Sequence, residues 1–120
     1  MLARRYRLTK KDNVEEIMTC GRMAKSRLFV VRTLPNNLPH NRTMALVSSN
    51  VADRAPDRNK IRRQIYEVVR LAEGNKTGNK SLAPLGWDIV IFPKKAVKEA
   101  SFKEMQRQLL SLLTFRRNPS

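Results

Sequence analysis

A cationic segment near the middle of the chain constrains the fold most. It runs Arg58-Asn59-Lys60-Ile61-Arg62-Arg63 and opens a helix-patterned stretch that reaches Glu73. Apolar residues recur there at i, i+4, i+7 and i+11, namely at Ile61, Ile65, Val68 and Ala72. This spacing predicts a helix with one side against a core. The opposite side carries Asn59, Arg63, Tyr66 and Arg70, with Arg62 beside them. Such a face is either a solvated surface or the footprint of a helix that lies along phosphates.

The charge of the whole chain favours the phosphate interpretation. Its 120 residues, the length of one domain, include 25 Lys and Arg against 10 Asp and Glu, which gives a net charge of +15. So large an excess repels itself unless a polyanion neutralises it, and nucleic acid and anionic membranes are the usual polyanions. No apolar run approaches the roughly 20 residues that span a bilayer. No apolar signal core follows the first residues. We therefore expect a cytoplasmic protein with a nucleic-acid partner and no membrane association.

Residues that commonly carry catalysis or bind metals are few. The only cysteine is Cys20 and the only histidine is His40. A lone cysteine provides neither a disulfide framework nor a Cys-based zinc site, so we interpret Cys20 as a small apolar residue late in a helix. His40 lies in a turn-like Pro/Asn segment. The four glycines form no phosphate-binding loop, and no triad or paired-carboxylate pattern occurs. We expect no catalytic residue in this chain and no metal or cofactor bound by the protein alone.

Local patterns predict a single α+β domain over residues 1–120. Helices are predicted at about 10–20, 57–73 and 101–115. Strands are predicted at 28–34, 43–49 and 87–92, the last of them nearly all apolar and therefore central. The first two strands are expected to pair as an antiparallel hairpin. The termini and the Gly/Asn-rich loop at 74–84 are expected to be flexible.

Capping residues mark two of the predicted helix starts. Asp57 is suited to cap the basic helix. Ser101 and Glu104 have the residue types and spacing of a capping box, in which each residue satisfies an amide of the other.

The chain resembles the bacterial ribonuclease P protein component. Residues 58–63 match that family's Arg-Asn-basic-Ile-basic-Arg signature. Several flanking landmarks occur in the family's order and spacing: Arg7-Leu8, Asp12, Gly21, Val47-Ser48 and Gly86-Trp87-Asp88-Ile89-Val90. An amphipathic C-terminal helix follows, so the resemblance extends from Arg7 to Leu113.

The resemblance implies a two-layer α+β sandwich with three helices and a small four-stranded sheet, a ribosomal protein S5 domain 2-like fold. Its element order would be helix-strand-strand-strand-helix-strand-helix. The basic helix would form a left-handed crossover between parallel strands, whereas most such crossovers are right-handed. Only three strands are evident from the pattern. The fourth is expected near residues 49–55 or from a split of the 43–49 strand.

The resemblance also implies a function. The protein would bind the catalytic RNA of ribonuclease P and the 5′ leader of precursor tRNA, and the RNA with its bound magnesium would cleave off the leader. The implied RNA-binding residues are Arg58, Asn59, Lys60, Arg62, Arg63, Tyr66 and Arg70. Tyr66 stands where the family usually has a basic residue. A leader cleft between the first helix and the sheet would contain Val14, Met18 and Arg32, although relatives usually carry aromatic residues at the first two positions.

Two other classes of protein are compatible with a basic helix. One is a non-catalytic RNA-binding protein, such as a ribosomal protein or an RNA chaperone. The other is a DNA-binding regulator that uses residues 58–70 as a recognition helix. A helix-turn-helix needs another helix shortly before the recognition helix. The strand-like residues 43–49 and Pro56 precede it instead, which argues against the regulator.

Overall fold

The computed structural model describes Leu8, residues 14–36, Leu38, residues 40–72 and residues 86–114. This part of the chain contains three α-helices: α1 (Val14–Cys20), α2 (Ala55–Ala72) and α3 (Phe102–Thr114). It also contains four strands: β1 (Arg22–Lys25), β2 (Phe29–Pro35), β3 (Arg42–Ala45) and β4 (Trp87–Pro93). A 3-10 helix, Lys95–Glu99, links β4 to α3. The element order is the one that the resemblance implied. The predicted flexible termini and the whole of the predicted 74–84 loop lie outside the described residues.

The four strands form one mixed sheet in the order β1-β2-β4-β3. β2 is antiparallel to β1 and to β4, whereas β3 is parallel to β4. The hairpin predicted between the strands at 28–34 and 43–49 is therefore wrong, because β4 lies between β2 and β3. The reason is burial: Ile89, Val90 and Ile91 are all buried, so β4 needs cover on both faces and both edges. The helix α2 crosses between the parallel strands β3 and β4, and the left hand of this crossover stays a prediction.

The fourth strand is β1, not a segment near residues 49–55. Residues 49–51 form a turn, and Ala55 already begins α2. β1 has no apolar run because it lies at an edge of the sheet with most of its side chains exposed. Its backbone pairs with β2 in a register that places Ala24 opposite Val31.

The two faces of the sheet carry separate clusters of apolar side chains. Because successive residues of a strand point to opposite faces, Ile89 and Ile91 of β4 pack toward α2 and α3, and Val90 packs toward α1. The larger cluster also contains Phe29 and Val31 of β2 and the buried residues of α2 and α3. The smaller one joins Val90 to Ile17 of α1 and to Leu8. Each large apolar side chain buried this way contributes about 1.5–3 kcal/mol to folding.

The helix starts differ in detail from the predicted caps. The helix α2 begins at Ala55, so Asp57 lies in its first turn rather than at the N-cap. There its negative carboxylate interacts favourably with the positive end of the helix dipole. At α3, the Glu104 N–H donates to the Ser101 Oγ at 3.1 Å, which confirms the N-cap. The Glu104 carboxylate accepts hydrogen bonds from other side chains, so the reciprocal half of the predicted capping box is wrong.

Gly21 allows α1 to end against the sheet. The helix stops at Cys20, which is exposed, and the Gly21 N–H donates to the Ile17 carbonyl at 2.9 Å. A Cβ atom at Gly21 would lie 2.3 Å from that same oxygen and 3.0 Å from the Thr33 oxygen. Both obstacles are backbone atoms, so only glycine fits where α1 approaches β2 this closely.

Candidate nucleic-acid interface

The two faces of α2 divide largely as its periodicity predicts. Ile61, Ile65, Val68 and Val69 are buried in the core beneath the helix. Asn59, Lys60, Arg63 and Arg70 are exposed on the other side. The side chain of Ala72 lies outside the described set. One helix thus presents three cations and an amide to solvent, on a backbone fixed by its apolar face.

Arg58 fastens the start of α2 to the segment that precedes it. Its Nη1 donates to the carbonyl oxygens of Ala52 at 2.9 Å and Asp53 at 2.8 Å. The side chain is half-buried, and both of these bonds come from one terminal nitrogen. A guanidinium has five N–H donors, so Arg58 can both anchor the helix and meet an anion.

Arg62 is half-buried at the margin between the two faces. Its Nη1 donates to the Asn59 Oδ1 at 2.7 Å, one turn earlier on the helix. Arg62 also lines an open groove of about 500 Å³ along β3, together with Tyr66 and Ser48. Arg63, the next residue of the helix, is exposed and does not line this groove.

The structure does not place Tyr66 on the polar face, so its predicted position was wrong. Its side chain is 8% exposed and belongs to the core beneath α2. Its hydroxyl oxygen accepts a hydrogen bond from the Ala45 N–H of β3 at 3.3 Å. A tyrosine ring is largely apolar and carries one polar atom, so it can join a core when that atom finds a partner. Periodicity alone assigned Tyr66 to the polar side because the buried arc of α2 is wider than its aliphatic residues indicate.

Arg70 carries the cationic row to the end of α2, but it has a partner in the protein. Its Nη2 lies 2.5 Å from the Glu67 Oε1, one turn earlier. The hydrogen bond from Arg70 lowers the pKa of the Glu67 carboxyl, and the same contact raises the pKa of Arg70. Arg70 therefore offers less net charge to an anion than Arg63 does.

The residues predicted for a leader cleft lie on the α1 side of the sheet. The Arg32 Nη1 donates to the Met18 carbonyl oxygen at 3.0 Å, so Arg32 and Met18 meet at the C-terminal end of α1. A cation is favourable there because the helix dipole is negative at that end. Val14 is half-buried and packs against the smaller apolar cluster. Met18 is 36% exposed.

Met23 belongs to the same surface and was missed from the sequence. It lies on β1 directly opposite Arg32 of β2, and it is 48% exposed. Cross-strand partners project from the same face of a sheet, so Met23 and Arg32 both project toward the α1 side. Met18, which belongs to α1, lies on that side as well. No signal pointed to Met23, because β1 itself was not evident from the pattern.

Metal-binding and membrane-spanning features are absent from the described part of the chain. Its residues contain no group of three or more His, Cys, Asp or Glu that could hold a metal ion. Across the same residues, no helix is long and apolar enough to cross a bilayer. His40 lies between β2 and β3 as predicted, and its carbonyl oxygen accepts from the Asn36 amide at 3.2 Å.

Comparison with known proteins decides between the candidate classes. The family model named Ribonuclease P matches residues 2–115. The chain belongs to the ribonuclease P protein family. Among curated members, the component from Dehalococcoides mccartyi strain CBDB1 is 33% identical over 107 residues, which cover 89% of this chain and 81% of that protein. The component from Thermotoga maritima is 31% identical over 114 residues, which cover 92% and 91%.

Solved structures of the family have the same fold. The ribonuclease P protein of Thermotoga maritima matches with a TM-score of 0.79 at 26% identity, over 95% of this chain and 98% of that one. The Staphylococcus aureus protein matches with a TM-score of 0.78 at 26% identity, over 93% and 95%. The α+β fold and the assignment as a protein subunit of ribonuclease P, a tRNA-processing ribonucleoprotein nuclease, are therefore confirmed. The ribosomal-protein and chaperone alternatives find no such support.

Proposed function

We propose that the polar face of α2 binds the catalytic RNA of ribonuclease P, and that the complex removes the 5′ leader of precursor tRNA in the cytoplasm. The observation that carries this proposal is the row of exposed polar side chains on α2, from Asn59 to Arg70, opposite a face locked in the core. Fixed cations on a rigid helix neutralise phosphates without a further cost of ordering the helix. Phosphate contacts position a partner and carry little sequence information.

In this proposal the RNA and its bound magnesium carry out the hydrolysis. The exposed side chains predicted to bind RNA, those of Asn59, Lys60, Arg63 and Arg70, are amide, ammonium and guanidinium groups. An arginine stays protonated in proteins and has no acceptor atom, so it cannot take a proton from water. These groups suit a different task, which is to reduce the repulsion between two strongly anionic RNAs. The net charge of +15 serves the same task.

The leader of the precursor is proposed to pass along the α1 side of the sheet, over Val14, Met18 and Arg32. Support comes from the exposed methionine beside a half-buried guanidinium that bonds to the Met18 carbonyl through Nη1. Arginine can pair with a phosphate or stack on a base with its planar group. Methionine offers soft apolar contact to a base.

Reconstitution tests the proposed function directly. The protein is added to bacterial ribonuclease P RNA at a magnesium concentration too low for the RNA alone, and 5′ processing of a precursor tRNA is followed on a gel. We expect processing only when both components are present. A double variant that removes two exposed lysines outside α2 and outside the predicted cleft, Lys95→Ala with Lys103→Ala, controls for loss of charge alone and should retain most of the stimulation. Failure of the unaltered protein to stimulate the RNA would contradict the proposal.

A further inference from the structure

The Tyr66 side chain of α2 forms a hydrogen bond with the edge strand β3. β3 is an edge strand, so some of its backbone groups point away from β4 and need other partners. The Thr43 carbonyl oxygen accepts from the Leu8 N–H at 2.8 Å. The Ala45 N–H donates to the Tyr66 hydroxyl at 3.3 Å, whereas the next amide, that of Leu46, donates to Ile91 of β4 at 2.9 Å. A side chain of α2 therefore satisfies an edge amide of β3 at a residue that is itself buried.

This bond lies at the boundary between the two faces of α2. The Tyr66 ring packs in the core with Ile65 and Val69. Arg62, one helical turn earlier, lines the same groove along β3 as Tyr66. A small rotation of α2 about its axis would lengthen the Tyr66–Ala45 bond and would also move Arg62 relative to β3.

A second attachment lies about two turns earlier on the helix. There the Arg58 guanidinium holds the carbonyl oxygens of Ala52 and Asp53. Arg62 and Arg63 lie between the two attachments. The burial of apolar surface is not directional in itself, whereas a hydrogen bond is favourable only over a narrow range of distance and angle. Hydrogen bonds at both ends of the segment define one rotation of the helix.

We propose that Tyr66 is a positioning residue for RNA binding: its hydroxyl bond to the Ala45 amide fixes the rotation of α2 that presents Arg62 and Arg63 to the RNA. The inference rests on the proposed function of α2. Tyr66 does not touch the RNA in this account. At this position the chain has a contact inside the protein rather than a cation that could bind phosphate. That contact aligns the neighbouring cations.

The test compares Tyr66→Phe, which removes only the hydroxyl, with Arg63→Ala, which removes a cation. Binding to ribonuclease P RNA is measured over a series of salt concentrations, at a temperature where both variants are folded by circular dichroism. Amide hydrogen exchange at Ala45 is followed by NMR. For Tyr66→Phe we expect faster exchange at Ala45 and an affinity lower by roughly threefold to tenfold, the equivalent of one net hydrogen bond. The slope of log affinity against log salt should not change, because no phosphate contact is removed.

Arg63→Ala should instead lower that slope by about one unit. A purely structural tyrosine would lower the unfolding midpoint and leave the affinity of the folded protein unchanged, and that result would overturn the inference. A reduced salt slope in Tyr66→Phe would also overturn it, because the hydroxyl would then contact the RNA itself. Unaltered exchange at Ala45 would show that the bond does not form. If Arg63→Ala also binds as the unaltered protein does, the proposed function of α2 has failed rather than the role of Tyr66.

Discussion

Asp88 joins three strands through one buried carboxylate. It is 2% exposed at the start of β4, and its two oxygens accept from the Arg42 Nε at 2.8 Å and Nη2 at 2.7 Å. The Asn36 side-chain amide adds a third bond at 2.9 Å. Asn36 follows β2 and Arg42 begins β3, so this carboxylate fixes both neighbours of β4 at one end of the sheet. A buried charge is tolerated when it is paired and hydrogen-bonded in this way.

Removing the charge of Asp88 should therefore destabilise the fold. We expect Asp88→Asn to lower the free energy of unfolding by about 2–4 kcal/mol, because the charge of a buried carboxylate that pairs with the half-buried Arg42 would be lost. Urea unfolding followed by circular dichroism measures this. The matched change Asp53→Asn removes an exposed carboxylate and should cost less than about 0.5 kcal/mol. Equal effects of the two changes would contradict a structural role for the Asp88 pair.

Glu104 gives the stability a dependence on pH. Hydrogen bonds from Arg27, Arg107 and Gln108 lower the pKa of its carboxyl below the usual value. A carboxyl whose pKa is lower in the folded state adds stability above its unfolded pKa and loses that contribution as the pH falls through its folded pKa. The melting temperature of Glu104→Gln should thus lie below that of the unaltered protein at pH 7, and the gap should narrow as the pH falls below the ordinary carboxyl pKa of 4.5 and through the lower folded-state pKa.

The control for this prediction is Glu99→Gln. It removes an exposed carboxylate from an equally cationic chain and supplies the background effect of the charge itself. A gap for Glu104→Gln that persists unchanged at pH 3 would show that the side chain stabilises α3 by packing rather than by its charge.

Among the elements, α2 and β4 were predictable and β1 was not. α2 repeats its apolar residues over several turns, and β4 is an apolar run between Gly86 and Lys94; both are strong local signals. The edge strand β1 is held by backbone bonds to β2, and a backbone bond leaves no mark on the sequence. The pairing of β3 failed for a related reason. Chain neighbours usually pair, whereas β3 pairs with a strand on the far side of α2.

The residues of the predicted interface also divide into those whose exposure a local sequence pattern predicts and those whose position depends on another element. The exposure of Asn59, Arg63 and Arg70 follows from helical spacing alone. The burial of Tyr66 depends on the Ala45 amide, which lies in another element. Arg32 lies beside Met18, on the side of the sheet that the family resemblance implied, whereas Met23 was not predicted.

For α2 as a whole we predict that its exposed face contributes to RNA binding and little to stability. Replacing Arg62 and Arg63 together by Ala should weaken binding to ribonuclease P RNA and lower the salt slope by roughly one unit for each phosphate that is no longer neutralised. The free energy of unfolding should change by less than about 1 kcal/mol, because the apolar side chains of the core are unaltered. Filter binding and urea unfolding measure the two effects. A large loss of stability with unchanged affinity would mean that these arginines are structural.

The surface between α1 and β2 should respond to an added aromatic ring. Val14→Phe is expected to increase the preference for precursor over mature tRNA, because one stacked base contributes about 1–3 kcal/mol. Arg32→Ala should decrease the same preference. Leu38→Phe places a ring at an apolar position that is 37% exposed and outside the predicted cleft, and it should leave the ratio unchanged. If neither Val14→Phe nor Arg32→Ala alters the ratio in folded protein, the leader passes elsewhere.

At the scale of the whole molecule, the two surfaces that we propose to bind RNA lie on opposite sides of one sheet. The cationic face of α2 lies on one side, and the exposed methionines with Arg32 lie on the other. Two different RNA segments could thus be held together across the protein, and the net charge would reduce the repulsion between them.

At this scale we predict that the protein alone does not cleave precursor tRNA. Protein purified under conditions that remove bound RNA should leave a labelled precursor intact in magnesium, and adding the catalytic RNA should restore cleavage. A catalytically inactive RNA, added with the same protein, is the matched control. Cleavage activity that copurifies with the RNA-free protein through successive columns would contradict the prediction.

The central position of β4 sets the order in which this chain can be built. β4 pairs with both β2 and β3. The register pairs Arg42 of β3 with Asp88 of β4, and α2 lies between these two strands in the sequence. While the chain is being synthesised, β3 has no strand to pair with until β4 has left the ribosome. Until β4 is available, the sheet beneath α2 is incomplete, although the cations of α2 are already exposed close to ribosomal RNA. Long-range pairing of this kind slows folding. The last strand synthesised therefore determines when β3 can pair and when the sheet beneath α2 is complete.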